Sequence, residues 1–525
     1  MAEVSATPTS LGEKASGKAW AILGAMGFGA LIAQMFSTVI GPALPTIKDD
    51  LGLGLSETTW IITAYSLAFG TALVAGGRMG DLVGEVKMIV FGFLLFGAGL
   101  IVAAIAAGGG MLIAGRAIQG IGISAPATLS IVVNSFPMAQ RGMAVGVWGF
   151  AHGFGLLIGP LFAAWMLDIA SWRWVFWVAV PLTALVILVT LGATRGYKSV
   201  LAKGSYDWLG LIIGGLGITL LTYGLQNSSV SWTTFGTWGM ILIGIILLAI
   251  FGVVETRIEH PLVDFGLWKE RLFSGGFFAE SAVGFIYIPM LTFIGSLFFI
   301  NVLGYSPAKA SWVIVITTGI CMVFEPPAGR WVDKVGPGIP ITVALVMQAV
   351  ALFWMGTFSP STTLGSMVIP LALMGIGVGI SLPACNTAGM SAVDPERAGM
   401  GSGLMQMTFN IPAALGVAVV TSVIGTITAS KVNSAMTDPA LEEAARNYAD
   451  AVQDGNASGA DDILASVSPD AAAAIKQAAV AAQSSGITTA MIILGVVALA
   501  GAIFAWVVIG RRRTPDHLTV QAHEV

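Results

Sequence analysis

Residues 77–87 read GRMGDLVGEVK, and residues 329–337 read GRWVDKVGP. Both follow Gly-x-x-x-Asp-x-x-Gly, at Gly77, Asp81 and Gly84 in the first copy and Gly329, Asp333 and Gly336 in the second. Each copy is a short polar joint between two long apolar runs, after the second run in one case and after the tenth in the other. A loop signature repeated at corresponding positions is the trace that a duplicated helical membrane fold leaves in a sequence. The glycines suit a tight turn and a close helix approach. Each aspartate can cap a helix or pair with a basic loop residue such as Arg141.

The apolar runs around these joints set the class. Of 525 residues, 56% are hydrophobic and 10% charged, and the mean hydropathy is +0.87. Soluble domains carry roughly 25% charged residues. Lipid offers no partners to backbone N–H and C=O groups, so runs of this length cross as helices. Fourteen spans are expected, near 20–44, 59–77, 87–107, 111–135, 142–167, 174–193, 208–226, 238–254, 273–301, 308–328, 338–357, 365–386, 400–428 and 487–510. With the N-terminus cytoplasmic, 17 of the 24 basic residues fall in cytoplasmic segments, the bias that the positive-inside rule demands. Both termini, a tail at 1–19 and another at 511–525, are therefore expected inside. The long segment 429–486 is expected outside as a solvated connector with short alanine-rich helices, the second of them capped by Ser468 with Pro469 at its first position. Cys321 and Cys385 lie in apolar runs and read as packing residues.

Four further stretches sharpen the picture. RAIQGIG in the fourth span carries Arg116, Gln119 and Gly120. GVWGFAHGFGLLIGP, residues 146–160, places Gly146, Gly155, Gly159 and Pro160 in a helix that glycine and proline would weaken in water. Small residues are what membrane helices pack through, so such a ridge brings a neighbouring backbone close. WRWVFWVAVP (172–181) and YDWLG (206–210) complete the set. On these motifs the chain resembles the major facilitator superfamily, in its 14-span branch of drug:proton antiporters, over nearly its whole length. The resemblance implies two six-helix bundles, at 20–193 and 273–510, with an inserted helix pair at 208–254. It implies a multi-pass bacterial plasma-membrane protein that exports a compound against protons by alternating access, gated by the signature loops and by the 146–160 helix, and working as a monomer.

The chain departs from the branch pattern at three places. Ala163 and Ala164 replace the last two motif glycines, Glu85 and Val86 stand where basic residues are usual, and Phe36 replaces the acidic residue of the first span. The last change weakens the case for small cationic substrates. Away from the ends of the expected spans, the charged residues within them are Arg116, Glu280 and Glu325. Each is costly in hydrocarbon and is a functional candidate by default. The three, with His152, are the expected proton-coupling set. Gln34, Phe36, Tyr65, Gln119, Tyr287, Gln406 and Phe409 are the expected lining of a substrate cavity.

The expected partners are a small amphipathic or lipid-like substrate, protons and membrane lipids, with no nucleic acid, cofactor or metal. GEKASGKA (12–19) ends in alanine where a phosphate loop needs Ser or Thr, and no strand precedes it. No cluster of His, Cys or carboxylates suggests an enzyme. An exporter or flippase of lipid or envelope precursors, and a proton-coupled importer on the same fold, remain as alternatives.

Overall fold

A computed structural model describes residues 14–53, 55–122, 125–202, 206–227, 234–258, 261–435, 439–453 and 457–510. The tails 1–13 and 511–525, and with them Arg511 to Arg513, lie outside the described residues, as does Lys203. The described chain is helical. The N-terminal bundle comprises α1 (Gly17–Thr38), α2 (Ile40–Leu51), α3 (Leu55–Val83), α4 (Glu85–Ala104), α5 (Gly109–Gly122), α6 (Ala125–Ser135), α7 (Arg141–Ile169) and α8 (Arg173–Ala193). The inserted pair is α9 (Trp208–Asn227) and α10 (Phe235–Glu255). The C-terminal bundle begins with α11 (Arg271–Thr292), which continues as a π-helix over Phe293–Val302. It goes on through α12 (Pro307–Val335), α13 (Gly338–Met355), α14 (Leu364–Ser391) and α15 (Ala398–Ala435). After α16 (Pro439–Gln453) and α17 (Ala457–Ala465), α18 (Pro469–Val508) closes it.

Each of the fourteen expected spans falls on a helix or a helix pair. By length and apolarity, eleven helices among the described residues could cross a membrane, or twelve with the bent pair in α3 taken as one span. α5 and α6, of 14 and 11 residues, are individually too short and together cover the expected fourth span. α12 carries Lys309, Glu325, Arg330, Asp333 and Lys334 and is correspondingly less apolar. The first span is interrupted at Val39 because Pro42 has no N–H to offer the Thr38 carbonyl.

The chain's last helix differs from expectation. A separate amphipathic helix followed by a span at 487–510 is replaced by one continuous 40-residue helix, α18. Ser468 caps it, its hydroxyl accepting from the Ala471 N–H at 3.3 Å, with Pro469 at the first position. The alanine-rich run up to Gln483 holds no glycine or proline, so nothing stops the helix before it enters the hydrocarbon. At 1.5 Å per residue α18 is about 60 Å long, twice the roughly 30 Å hydrocarbon core. α16 packs on the projecting parts of α15 and α18 around Val432, Ala445, Tyr448, Ala449 and Ile475. The expected solvated connector is thus a small folded helical layer with a core of its own.

Each bundle has a separate hydrophobic core, one around Phe36, Phe93, Phe96 and Phe176, the other around Phe298, Leu345, Met374 and Met491. The bundles meet along two seams, α7 against α12 and α3 against α15. The inserted pair packs mostly on itself, with α9 also touching α3 and α15. We call the side that carries residues 77–87 and 329–337 the signature face, and the opposite side the distal face. On the distal face Asp50 accepts from Trp172 Nε1 at 2.9 Å and from Arg173 at 2.8 Å, which fastens α2 to α8 and holds the Asp50 carboxyl below its ordinary range.

Candidate functional site

The two signature aspartates perform the same act on opposite halves. Asp81, at the end of α3, accepts from the N–H groups of Gly399 (2.6 Å) and Met400 (2.9 Å), the first turn of α15. Asp333, at the end of α12, accepts from the N–H groups of Gly142 (2.7 Å) and Met143 (2.8 Å), the first turn of α7. A helix N-terminus presents unpaired N–H groups and partial positive charge, so a carboxylate there satisfies both. Each bundle therefore caps a helix of the other. Asp333 does not pair with Arg141, whose Nε donates to the Phe136 carbonyl instead, because the free N–H groups of α7 lie directly under the carboxylate.

Close backbone approach makes the latches possible. A Cβ on Gly77 would strike the Gly399 carbonyl, and one on Gly329 would strike the Gly142 carbonyl. Gly84 and Gly336 take positive φ, 109° and 84°, where the chain turns into the next helix. Motif reading missed the partners of the aspartates, yet a signal was present. RGMAVG (141–146) and RAGMGSG (397–403) share a Gly-Met step, and it is these Gly-Met amides that the aspartates bind. Each follows a short 3₁₀ turn, Met138–Gln140 or Pro395–Arg397. The departure at position 85 also has a use. Glu85 is buried and accepts from Asn134 (3.0 Å) and Tyr197 (2.9 Å), fastening the connector after α8 beneath the first signature loop. In the same connector Ala202 N–H donates to the Asp81 carbonyl at 2.9 Å.

The glycines of the 146–160 stretch serve two neighbours. Gly146, Gly149 and Gly153 face α12: side chains there would strike the Glu325 carbonyl, the Glu325 carboxylate and Met322. Gly155 and Gly159 face α1, where a Cβ would meet the carbonyls of Leu31 and Met35. Glu325 itself is buried; Cys321 Sγ lies 3.8 Å from its Oε1, and its Oε2 has no hydrogen-bond partner among the described residues. Its carboxyl thus occupies the seam between the halves, two helical turns along α12 from Asp333. His152, on the same stretch of α7, stacks near Trp148 with ring centroids 5.3 Å apart.

Glu280 lies elsewhere. It is buried inside the C-terminal bundle on α11, accepts from Asn386 Nδ2 of α14 at 2.8 Å, and faces the Thr408 hydroxyl of α15. Its Oε2 and the Oδ1 of Asn386 are buried with no hydrogen-bond partner among the described residues. Sequence reading did not single out Asn386 or Thr408, since isolated polar residues in apolar helices carry no spacing signal.

Arg116 is fully buried in the N-terminal bundle. Its Nη1 donates to the Phe36 carbonyl (3.1 Å) and to Gln119 Oε1 (2.8 Å), its Nε to the Ile61 carbonyl (3.4 Å), and its guanidinium lies 4.1 Å from the Tyr65 ring centroid. Gln119 in turn donates to the Gly99 carbonyl at 3.1 Å. Phe36, Tyr65 and Gln119, expected as cavity lining, form the packed shell of this guanidinium. Gln34 is buried on α1 beside Ser37, Tyr287 reaches Thr318 at 3.4 Å, and the Phe409 backbone lies against Gly284. A cavity of about 990 Å³ lies between α9 and the α3–α5 wall, and none of the seven expected residues lines it.

Paired halves, a duplicated loop latch and buried charges inside helical bundles define a polytopic membrane transporter. A profile of the Major Facilitator Superfamily matches residues 26–417, and the chain belongs to that family. Among its relatives, the multidrug export protein EmrB of Escherichia coli K12 is 27% identical over 405 residues, 76% of this chain and 78% of that one. The tetracenomycin C resistance and export protein of Streptomyces glaucescens is 26% identical over 432 residues, 80% and 78% of the two chains. Among solved structures, the human organic anion transporter MFSD10 shares the fold with a TM-score of 0.62 at 13% identity, covering 93% of this chain and 99% of that one.

Proposed function

We propose that this transporter exports amphipathic or hydrophobic, drug-like compounds by proton antiport, with the signature face toward the cytoplasm. The observation that carries the reading is the position of Glu325. Its carboxyl is sealed in the α7–α12 seam against Gly149 and Gly153, where the two halves must part for the site to change sides. A charge there favours parting and hydration, and a proton favours closure, so protonation and opening are linked. Glu280 is a second candidate carrier, and Arg116 with Gln119 organises the opposite half. Relatives named for multidrug and antibiotic export support the direction of transport. The absence of an acid at Phe36 turns the substrate class toward neutral or weakly charged compounds, and keeps a lipid-like substrate as the second reading.

The test uses protein in liposomes with an imposed proton gradient, several amphipathic dyes and a fluorescent lipid. Dye movement opposite to the proton gradient is expected, with Glu325→Gln lowering gradient-driven transport at least ten-fold while leaving downhill exchange. Transport indifferent to the gradient and to both Glu325→Gln and Glu280→Gln would overturn antiport. Movement of the lipid alone would select the second reading.

A further inference from the structure

The cavity beside α9 is not explained by either latch or by the buried charges. It is a trough in the lipid-facing side of the molecule, walled by α3, α4 and α5 on one side and α9 on the other. The α3 wall carries a row of small side chains one turn apart, Ala64, Ala68, Ala72 and Ala75, flanked by the larger Leu67, Met79 and Val83. In membranes such a stripe normally seats a neighbouring helix. Here α9 and the residues just before it touch α3 at points instead: Thr71 Oγ1 lies 2.9 Å from Thr219 Oγ1, Trp60 stacks on Tyr223 at 5.6 Å, and Tyr206 OH, ahead of α9, donates to the Ala75 carbonyl at 3.1 Å. The space between those contacts stays open.

One charged residue lines the trough, Lys87, at its signature-face mouth. Lys87 is exposed and forms no ion pair among the described residues. The carboxylates closest to it in sequence are engaged, Glu85 by Asn134 and Tyr197 and Asp81 by the start of α15. Tyr206 and Trp208 stand at the same end, the level at which aromatic residues meet lipid headgroups. Trp208 and Thr219 mark the extent of the α9 wall, eleven residues or about 17 Å. That is close to the depth of one leaflet, about 15 Å.

We propose that this trough is a binding site for one anionic phospholipid of the signature-face leaflet, with its phosphate on Lys87 and an acyl chain along the alanine wall. The lipid completes the packing between the inserted pair and the N-terminal bundle, which protein contacts alone leave partial. It is a resident component and not the exported compound.

The test needs no transport. Full-length protein is exchanged into bilayers of equal phosphatidylglycerol and phosphatidylcholine, re-extracted gently, and its retained lipid is measured by native mass spectrometry. Phosphatidylglycerol should be retained over phosphatidylcholine by about five-fold, the preference one basic residue gives at an anionic surface. Lys87→Gln should bring the ratio to parity while leaving total retention largely intact. Ala72→Leu, which fills the trough, should lower retention of both lipids with the melting temperature in detergent unchanged. Equal retention by the unsubstituted protein, a ratio unmoved by Lys87→Gln, or displacement of the lipid by a transported dye would each overturn the proposal. The antiport reading is untouched by any of these results, because no gradient enters the measurement.

Discussion

Arg116 shows how one residue can be buried as a charge without a carboxylate. Two backbone carbonyls, the Gln119 amide oxygen and the face of Tyr65 replace its water. The planar fork of arginine reaches α1 and α3 at once, and an ammonium cannot reproduce it. Arg116→Lys should therefore lose about 1–3 kcal/mol of stability, from donors and acceptors left unmatched, read as a lower melting temperature in detergent. Gly149 makes a second prediction. Its missing side chain is the room that the Glu325 carboxylate occupies, so Gly149→Ala should strain the α7–α12 seam by about 1–3 kcal/mol. Gly24→Ala, at a position where a Cβ would meet nothing within 4 Å, is the matched control and should be neutral or slightly stabilising in the same assay. That Arg116, Glu280 and Glu325 are charged groups set among apolar helices was legible from the sequence, and all three are buried. The Phe36 and Ile61 carbonyls that receive Arg116 and the Asn386 amide that meets Glu280 were not, because they come from helices distant in sequence.

At the scale of elements, α7 is built to be approached from two sides. Its first glycine row admits α12 of the other half and its second admits α1 of its own half. The spacing of these glycines could be read directly, but spacing does not say which neighbour each row seats. α18 makes the complementary point. A stop expected near residue 486 does not occur, since alanine propagates a helix as well outside the bilayer as leucine does inside it. The Ser468 cap is where this long helix begins, so Ser468→Ala should weaken its first turn by about 1 kcal/mol. Amide hydrogen exchange at residues 470–473 should accelerate about five-fold, with exchange in the core of α18 unchanged.

For the whole molecule, the decisive feature is reciprocity. Each half supplies an aspartate to a helix of the other, so the signature face is closed by two like latches related by the duplication. A charged acceptor at a helix N-terminus contributes about 1.5–3 kcal/mol, and removing one latch should bias the two bundles toward parting on this face. Asp81→Asn and Asp333→Asn should each lengthen a spin-label distance measured across the signature face in a fraction of molecules. The double variant should do so in most of them, because the latches stand on separate seams and their effects add. Distances unchanged in the double variant would remove the latches from gating.

The sequence by itself determined that the chain is a membrane protein, where its long apolar stretches lie, and that its signature loop is duplicated. Those properties are local: hydropathy is summed over twenty neighbours, and a repeated loop is visible wherever it falls. The tertiary structure alone decided what the repeated loop does. Asp81 finds its partner 318 positions away and Asp333 finds its own 191 positions away, across the interface between halves. The same holds for the room that Gly149 leaves Glu325 and for the alanine wall that α3 leaves open beside α9. Each is a relation between surfaces of different helices, and no single stretch of chain contains it.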